Sequence, residues 1–199
     1  MSADYKQLVA WRKNLAALRD EAPQIMAELV IGEGVYAVKQ AKSICKAEKI
    51  VNTGNYRNNF HAGDRAMIYD GTEPHDGAAP KRSGSNYRID VYNNADYAKH
   101  LEHGFRSHFV PGYWAGRTFV YVKGYRPKDG EPGGMYVGPR GGYVKGKFVF
   151  LRAIRRTKQT QNARLSRKIN KIIRVRLEGG KLHDLSLIHI SEPTRRSYI

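Results

Sequence analysis

Residues 87–104 read Tyr-Arg-Ile-Asp-Val-Tyr-Asn-Asn-Ala-Asp-Tyr-Ala-Lys-His-Leu-Glu-His-Gly, and two periodicities meet within that one run. Tyr87, Ile89 and Val91 alternate with Arg88, Asp90 and Tyr92, the period of a half-buried strand. Asn93 and Asn94 offer turn chemistry and an N-cap, because a short amide side chain satisfies the free N–H groups of a first helical turn. Asp96 adds negative charge at the positive end of the helix predicted there. Tyr97, Ala98 and Leu101 form its apolar side, and Gly104 suits the left-handed residue that ends it. Strand, turn and short helix are thus specified by agreeing local signals.

Toward the N-terminus the period is helical. Leu8, Trp11, Leu15 and Leu18 share one side of a helix from about Asp4 to Arg19. Ala22-Pro23 predicts a break and restart, since proline clashes with the preceding turn but suits a first helical position. A second helix follows to about Lys49, with Ile25, Met26, Leu29, Val30, Val35, Val38, Ala41, Ile44 and Cys45 at its apolar positions. Gly32 and Gly34 weaken its middle and predict a kink or a close contact. Asn52-Thr53-Gly54 is turn chemistry leading into a helical turn and a first strand. Residues 70–85 are rich in Gly, Pro, Ala and charge without a period, and predict an exposed loop.

Beyond the opening run, residues 105–146 are dominated by Gly, Pro, Tyr and basic side chains. A strand is expected over 118–125. A hairpin is expected between 135–137 and 142–144, turning at Pro139-Arg140-Gly141. Together they predict an extended β arm or long loop. A last helix is expected over 147–177 on Phe148, Leu151, Ile154, Leu165, Ile169, Ile172 and Ile173, with a basic opposite face. That face carries Arg152, Arg155, Arg156, Arg164, Arg167, Lys168, Lys171 and Arg174, opposed only by Glu178 near its end. Like charges four apart repel, so a patch of this kind favours an anionic partner.

The overall charge agrees: Lys plus Arg number 35 against 18 Asp plus Glu, a net +17. Nucleic acid, a membrane surface and an acidic protein are all suitable partners. Interleaved aromatic residues of the arm (Tyr113, Trp114, Tyr121, Tyr125, Tyr136, Tyr143) suit base stacking and protein interfaces equally. With a single cysteine, Cys45, an internal disulfide and multi-cysteine zinc sites are excluded, and a buried inert thiol is expected. No apolar run reaches the length of a membrane span and no secretory signal is visible, so an intracellular protein or assembly component is expected.

Chemistry is harder to find. His100 and His103 are three apart with Glu102 between them, but the HExxH spacing is absent and no further ligand sits at a familiar distance. Exposed polar residues on a short helix account for them better than a metal site. The glycine-rich 130–134 and 138–142 stretches lack a phosphate-loop pattern. No nucleophile elbow or catalytic triad spacing occurs. No enzyme and no cofactor are expected.

Three pieces in order carry a resemblance. Val51-Asn52-Thr53-Gly54-Asn55-Tyr56-Arg57-Asn58-Asn59-Phe60 resembles a turn motif that follows a long helix. Val91-Tyr92-Asn93-Asn94-Ala95-Asp96-Tyr97-Ala98 with Leu101-Glu102-His103-Gly104 resembles a second motif, and Gly146-Lys147-Phe148 with Leu151 and Ile154 resembles the start of a last helix. The set is similar to the gene-product-ten-like tail-component family of long-tailed bacteriophages, over about residues 4–177. The resemblance implies an α+β subunit: long N-terminal helices and a basic C-terminal helix packed on a small antiparallel sheet, here with a glycine- and aromatic-rich β arm. It also implies a structural virion protein of the neck or tail, acting in head–tail joining or tail completion, made in the host cytoplasm. Its partners would be itself in a ring, head connector and tail-tube or tail-terminator proteins, and DNA passing the neck, with no membrane. Thr53, Gly54, Arg57, Tyr92, Asn93, Tyr97, Ala98, Glu102, Gly104 and Phe148 are the motif residues expected to serve assembly. The alternative is a basic nucleic-acid-binding protein using the last helix.

One stretch stands apart. Residues 185–195, Leu-Ser-Leu-Ile-His-Ile-Ser-Glu-Pro-Thr-Arg, resemble the translation of a transposase-type sequencing adapter. The expectation is a single domain over 1–184, with 105–146 as its arm, followed by a non-native, disordered 185–199.

Overall fold

Two long helices bracket a series of short strands in the computed structural model, which describes residues 3–50, 54–126, 133–139 and 141–179. In chain order the elements begin with α1 (Ala3–Ala47), α2 (Asn55–Asn58), β1 (Phe60–Gly63), β2 (Lys81–Ser83), β3 (Asn86–Arg88) and β4 (Asp90–Asn93). They continue with α3 (Ala98–His103), β5 (Gly104–Arg106), β6 (His108–Val110), β7 (Gly112–Ala115), β8 (Thr118–Tyr121), β9 (Met135–Val137), β10 (Tyr143–Lys145) and α4 (Val149–Leu177). The chain divides into two compact units, residues 1–94 with 151–199, and residues 95–150. The segment 185–199, expected to be foreign and disordered, lies outside the described residues.

In the first unit α1 is one helix of 45 residues, not two. Pro23 lies inside it on an exposed stretch. The apolar period is the reason the helix runs through. Leu8, Trp11, Leu15, Leu18, Ala22, Ile25 and Leu29 recur at alternating steps of three and four without a break at the proline. Packing of Leu18, Ile25 and Leu29 of that seam against α4 outweighs one lost backbone hydrogen bond. Ile25 and Leu29 pack with Ile172 of α4, and Leu18, Leu165 and Val175 close around them. Among the described residues, Glu21 and Glu33 of α1 pair with Arg176 and Arg164 of α4, and Glu48, just past the end of α1, pairs with Arg152. The first two recur at equal intervals along both helices, which fixes an antiparallel register. The basic face of α4 is therefore opposed not only by Glu178 but also by glutamates of α1.

The C-terminal half of α1 buries Val35, Val38, Ala41, Ile44 and Cys45 and lies against β1 and β4. β1 and β4 pair antiparallel, with Phe60 opposite Asn93 and Ala62 opposite Val91. Gly34 is a close contact: a Cβ there would stand 2.9 Å from Ile89 Cγ2 and 3.0 Å from Ala62 Cβ. The strand expected over 87–92 is split at Ile89. β3 pairs with β2 in a hairpin turning at Gly84, while β4 pairs with β1. The expected exposed loop over 70–85 thus contains a strand. It also runs beside β1, where His75 bridges to Ala62 in parallel and Asp76 N donates to Ala62 O at 3.0 Å.

The second unit is a short helix followed by a two-stranded ribbon. β5, β6 and β7 are successive stretches of one outgoing run, and they pair antiparallel with β10, β9 and β8 respectively. The hairpin expected between 135–137 and 142–144 does not form, because each of those strands finds its partner on the outgoing run instead. The ribbon has little interior: among the described residues of this unit, the only buried apolar side chains are Ala95 and Val149. Phe109, Tyr113, Trp114, Tyr121, Tyr136 and Tyr143 are exposed.

Candidate assembly interface

The motif residues gather into two corners, one in each unit. In the first, Gly54 caps the short α2 with φ 84° and ψ −8°, a left-handed conformation that favours glycine. Arg57 Nε donates to Asn58 Oδ1 at 3.1 Å. Buried Tyr56 sets its ring edge-on to Phe60, with centroids 5.0 Å apart. Asn93 Nδ2 donates to Tyr56 O at 2.8 Å, which ties the end of β4 to α2 and brings two of the motifs into contact. Asn93 and Asn94 do not cap α3, as the sequence suggested. Asn94 Nδ2 donates to Tyr69 O at 2.8 Å, and α3 begins later, at Tyr97, without a side-chain cap or an acidic first turn. Thr53 lies outside the described residues.

Beneath this corner lies a polar cluster that sequence reading missed. Tyr92 is buried, and its hydroxyl donates to Asp76 Oδ2 at 2.7 Å. Asp76 also accepts from Asp64 N and Ala78 N, both at 2.8 Å. Burial raises the Asp76 pKa, but these hydrogen bonds outweigh it and hold the carboxyl below its ordinary value. Burial likewise raises the Tyr92 phenol, with its bond to Asp76 adding to the effect. His61 is fully buried, its Nδ1 2.9 Å from Glu73 O and its ring edge-on to Tyr69. Burial lowers its pKa, and half-buried Lys42 adds repulsion. Lys42 is itself lowered, by burial first and then by Arg57. The available signal was a histidine inside an otherwise small, apolar strand run, Phe60-His61-Ala62-Gly63. These bonds tie the 64–78 loop to β1 and β4, while the buried Nε2 of His61 has no hydrogen-bond partner among the described residues.

The second corner joins α3 to the start of α4. Tyr97 is exposed at the N-cap of α3, and Ala98 opens the helix. Glu102 Oε2 accepts from Phe150 N at 2.8 Å, taking one of the unpaired amides of the first turn of α4. Glu102 O accepts from Phe148 N at 3.2 Å. Gly104 ends α3 with φ 83°, as expected of a glycine there, but with ψ 179° it turns straight into β5. A Cβ on Gly104 would stand 2.3 Å from Val144 O. Phe148 adopts φ 50°, a positive value unusual for a non-glycine residue, immediately before α4. His100 rests edge-on against Phe105. Among the described residues no group of three His, Cys, Asp or Glu side chains is placed to hold a metal ion.

The proposed anionic-partner patch is divided by the structure. Arg152 and Arg164 are engaged by Glu48 and Glu33, and Arg174 pairs with Glu178 at 3.2 Å. Lys168 is half-buried, with its Nζ 3.1 Å from where a Cβ on Gly32 would stand. Arg155, Arg156, Arg167 and Lys171 are exposed. On another side of the same helix, an apolar groove opens between α1 and α4, lined by Leu18, Ala22, Met26, Ile169 and Ile173 among others. No helix of the described residues is long and apolar enough to cross a membrane.

No curated protein and no solved structure gives a significant match to the chain. One family model does, that described as "Bacteriophage HK97-gp10, putative tail-component", and it covers residues 11–104. The match takes in most of α1 and both halves of the strand–helix motif and stops at Gly104, so Phe148 and α4 lie beyond it. Residues 11–104 are thus similar to this phage tail-component family.

Proposed function

We propose that this protein is a structural virion component of the phage neck or tail, acting in head–tail joining or tail completion. The observation that carries the reading is the family match, which runs from Trp11 within α1 to Gly104 at the end of α3 and takes in the first motif corner and the α3 side of the second. The second unit supports it. A two-stranded ribbon with almost no core is marginal by itself, and six exposed aromatic side chains on it suit anchoring to other proteins. Suitable partners are copies of the chain itself arranged in a ring, head connector proteins, and tail-tube or terminator proteins. DNA binding by α4 is the weaker reading, because three of the expected cations are already paired with glutamates.

The test is removal of the gene from its phage, followed by electron microscopy of the lysate. Filled heads and unattached tails are expected to accumulate, with joining restored when the protein is supplied. Normal joined particles lacking the protein, or labelling of the protein along the tail shaft and not at the neck, would overturn the reading.

A further inference from the structure

From residue 151 to 177, α4 carries ten Lys and Arg and no Asp or Glu. Arg152, Arg164 and Arg176 are taken up by Glu48, Glu33 and Glu21, and Lys168 is half-buried. Those pairings leave a remainder that is ordered, not scattered. Arg156, Thr160, Ala163, Arg167 and Lys171 follow one another at steps of three and four, the spacing of one helix face, and all five are exposed. The Arg156 and Lys171 side chains have no hydrogen-bond or ion-pair partner among the described residues. Arg167 Nε donates to Ala163 O at 3.0 Å, which lays the guanidinium along the row with both Nη groups left over. Arg174, the next step, is drawn to Glu178 at 3.2 Å and ends the row. From Arg156 to Lys171 the row runs about 22 Å at the helical rise.

The side chains among these cations select the kind of anion. Gln159, Thr160, Ser166 and Asn170 are exposed there, all polar. The exposed apolar Ile169 and Ile173 stand about a third of a turn or more round the helix from Arg167. An acidic protein would be held by aromatic or apolar anchors in a centre depleted of charge, and this face has none. A membrane surface would take up an apolar helix face, but that of α4 is already packed on α1 through Leu165, Ile172 and Val175. A single nucleic-acid strand would stack its bases on aromatic rings, and residues 151–177 contain no aromatic side chain. Arg and Lys interspersed with Ser, Thr, Asn and Gln are the side chains that contact the phosphates of a duplex. The major groove of B-form DNA admits a helix, whereas that of A-form RNA is too narrow for side chains to read. We infer that the outer row of α4 docks on the phosphates of duplex DNA without reading its sequence. Only three or four phosphates are neutralised, so the contact is weak and strongly salt-dependent. It goes beyond the neck or tail role and does not depend on it.

Fluorescence anisotropy of a short labelled DNA duplex with the full chain tests this. The parent is expected to bind at about 50 mM salt and to lose affinity as salt rises, with a log–log slope of about −3 to −4. Arg156→Gln/Arg167→Gln/Lys171→Gln is expected to weaken binding by about tenfold or more and to flatten the slope by about 1 per residue changed. Arg65→Gln/Lys99→Gln/Lys123→Gln removes the same charge from exposed positions scattered elsewhere and is expected to stay within about threefold of the parent. The row variant relieves repulsion between Arg167 and Lys171, so it is expected to melt no lower than the parent. Duplex is expected to raise the melting temperature of the parent and not of the row variant. If the triple row variant melts lower, the single Lys171→Gln, with its slope flattened by about 1, carries the test. Absence of binding at low salt would overturn the inference, as would a row variant that binds like the parent. Equal loss in the two triple variants would overturn it too, because net charge alone would then suffice. So would tighter binding of single-stranded DNA or duplex RNA, or displacement by polyglutamate as readily as by unlabelled duplex. Row-dependent binding to phosphatidylserine vesicles without binding to duplex would reassign the row to a membrane and overturn it as well.

Discussion

Arg164 and Glu33 hold α4 to α1 through a two-point ion pair. Arg164 Nε donates to Glu33 Oε1 at 3.1 Å, and Nη2 donates to Glu33 Oε2 and also to Thr157 O. The guanidinium carbon lies 3.7 Å from the centroid of the Tyr36 ring. The Arg164 and Glu33 side chains are only 14% and 9% exposed, so the pair is largely withdrawn from water. A delocalised cation that stacks and forks in this way is not replaceable by lysine.

Removing one partner leaves the other charge buried. Glu33→Ala is expected to destabilise the first unit by about 3 kcal/mol, the lower end for a broken buried pair. At this chain length that lowers the melting temperature by roughly 6–12 °C, measurable by circular dichroism. Replacing both partners with Met is expected to recover most of the loss. The Arg152–Glu48 pair, about one-third exposed on both sides, is expected to contribute under 1 kcal/mol.

The cluster under β1 predicts acid sensitivity with a definite sign. His61 is held below its ordinary value by burial, so at mildly acidic pH the unfolded chain takes up a proton that the folded chain refuses. The stability it contributes is present above the unfolded value of about 6.5 and is lost as pH falls below it. Urea unfolding should therefore weaken between pH 7 and pH 5. His61→Asn, which keeps a donor for the Glu73 carbonyl, should flatten that slope.

Asp76 adds a second, more acidic limb. Its lowered pKa means stability present above about pH 4 and lost below it. Tyr92→Phe removes one hydrogen bond to the carboxylate and is expected to cost about 1.5–3 kcal/mol at neutral pH. It should also shift acid unfolding to higher pH, because the Asp76 carboxyl would then protonate more readily.

At the second corner, Gly104→Ala combines a left-hand φ with a Cβ placed against Val144 O. Strain of at least about 2 kcal/mol is expected, read as faster hydrogen exchange in β5 and β10. Glu102→Ala should be milder, about 1 kcal/mol, as for the loss of a helix cap. It should show as fraying of the first turn of α4.

The two corners explain how much was legible. Periodicity located the helical stretches of α1 (as two helices, not one), α3 and α4, because those follow from residues a few positions apart. Three things were hidden by sequence distance. The partners of β9 and β10 lie about 25–41 residues away on the outgoing run, so a local hairpin was the natural but mistaken expectation. Asp76 sits in a loop without pattern, and only the fold brings it to Tyr92. The glutamates that neutralise part of α4 are on α1 or just past its end, more than a hundred residues earlier, so α4 read alone looked like an unbroken cationic surface. The motif residues themselves read well as conformational choices at Gly54 and Gly104. Asn93 was seen as a cap when its amide instead reaches across to α2.

Pro23 tests the continuity of α1 most directly. It has no amide hydrogen to donate to the carbonyl four residues earlier, at Arg19, and an interior proline costs a helix about 3 kcal/mol. The seam on either side keeps its register through the proline, so the lost bond is tolerated and not used to end the helix. Pro23→Ala is then expected to stabilise the protein by about 1–3 kcal/mol and to raise the melting temperature without changing helix content. If residues 3–22 formed a separate helix, with Pro23 as the first residue of the next, the same change would give no gain and could lower stability, since proline is favourable at a first helical position. The sign of a single melting-temperature shift therefore separates one long helix from two.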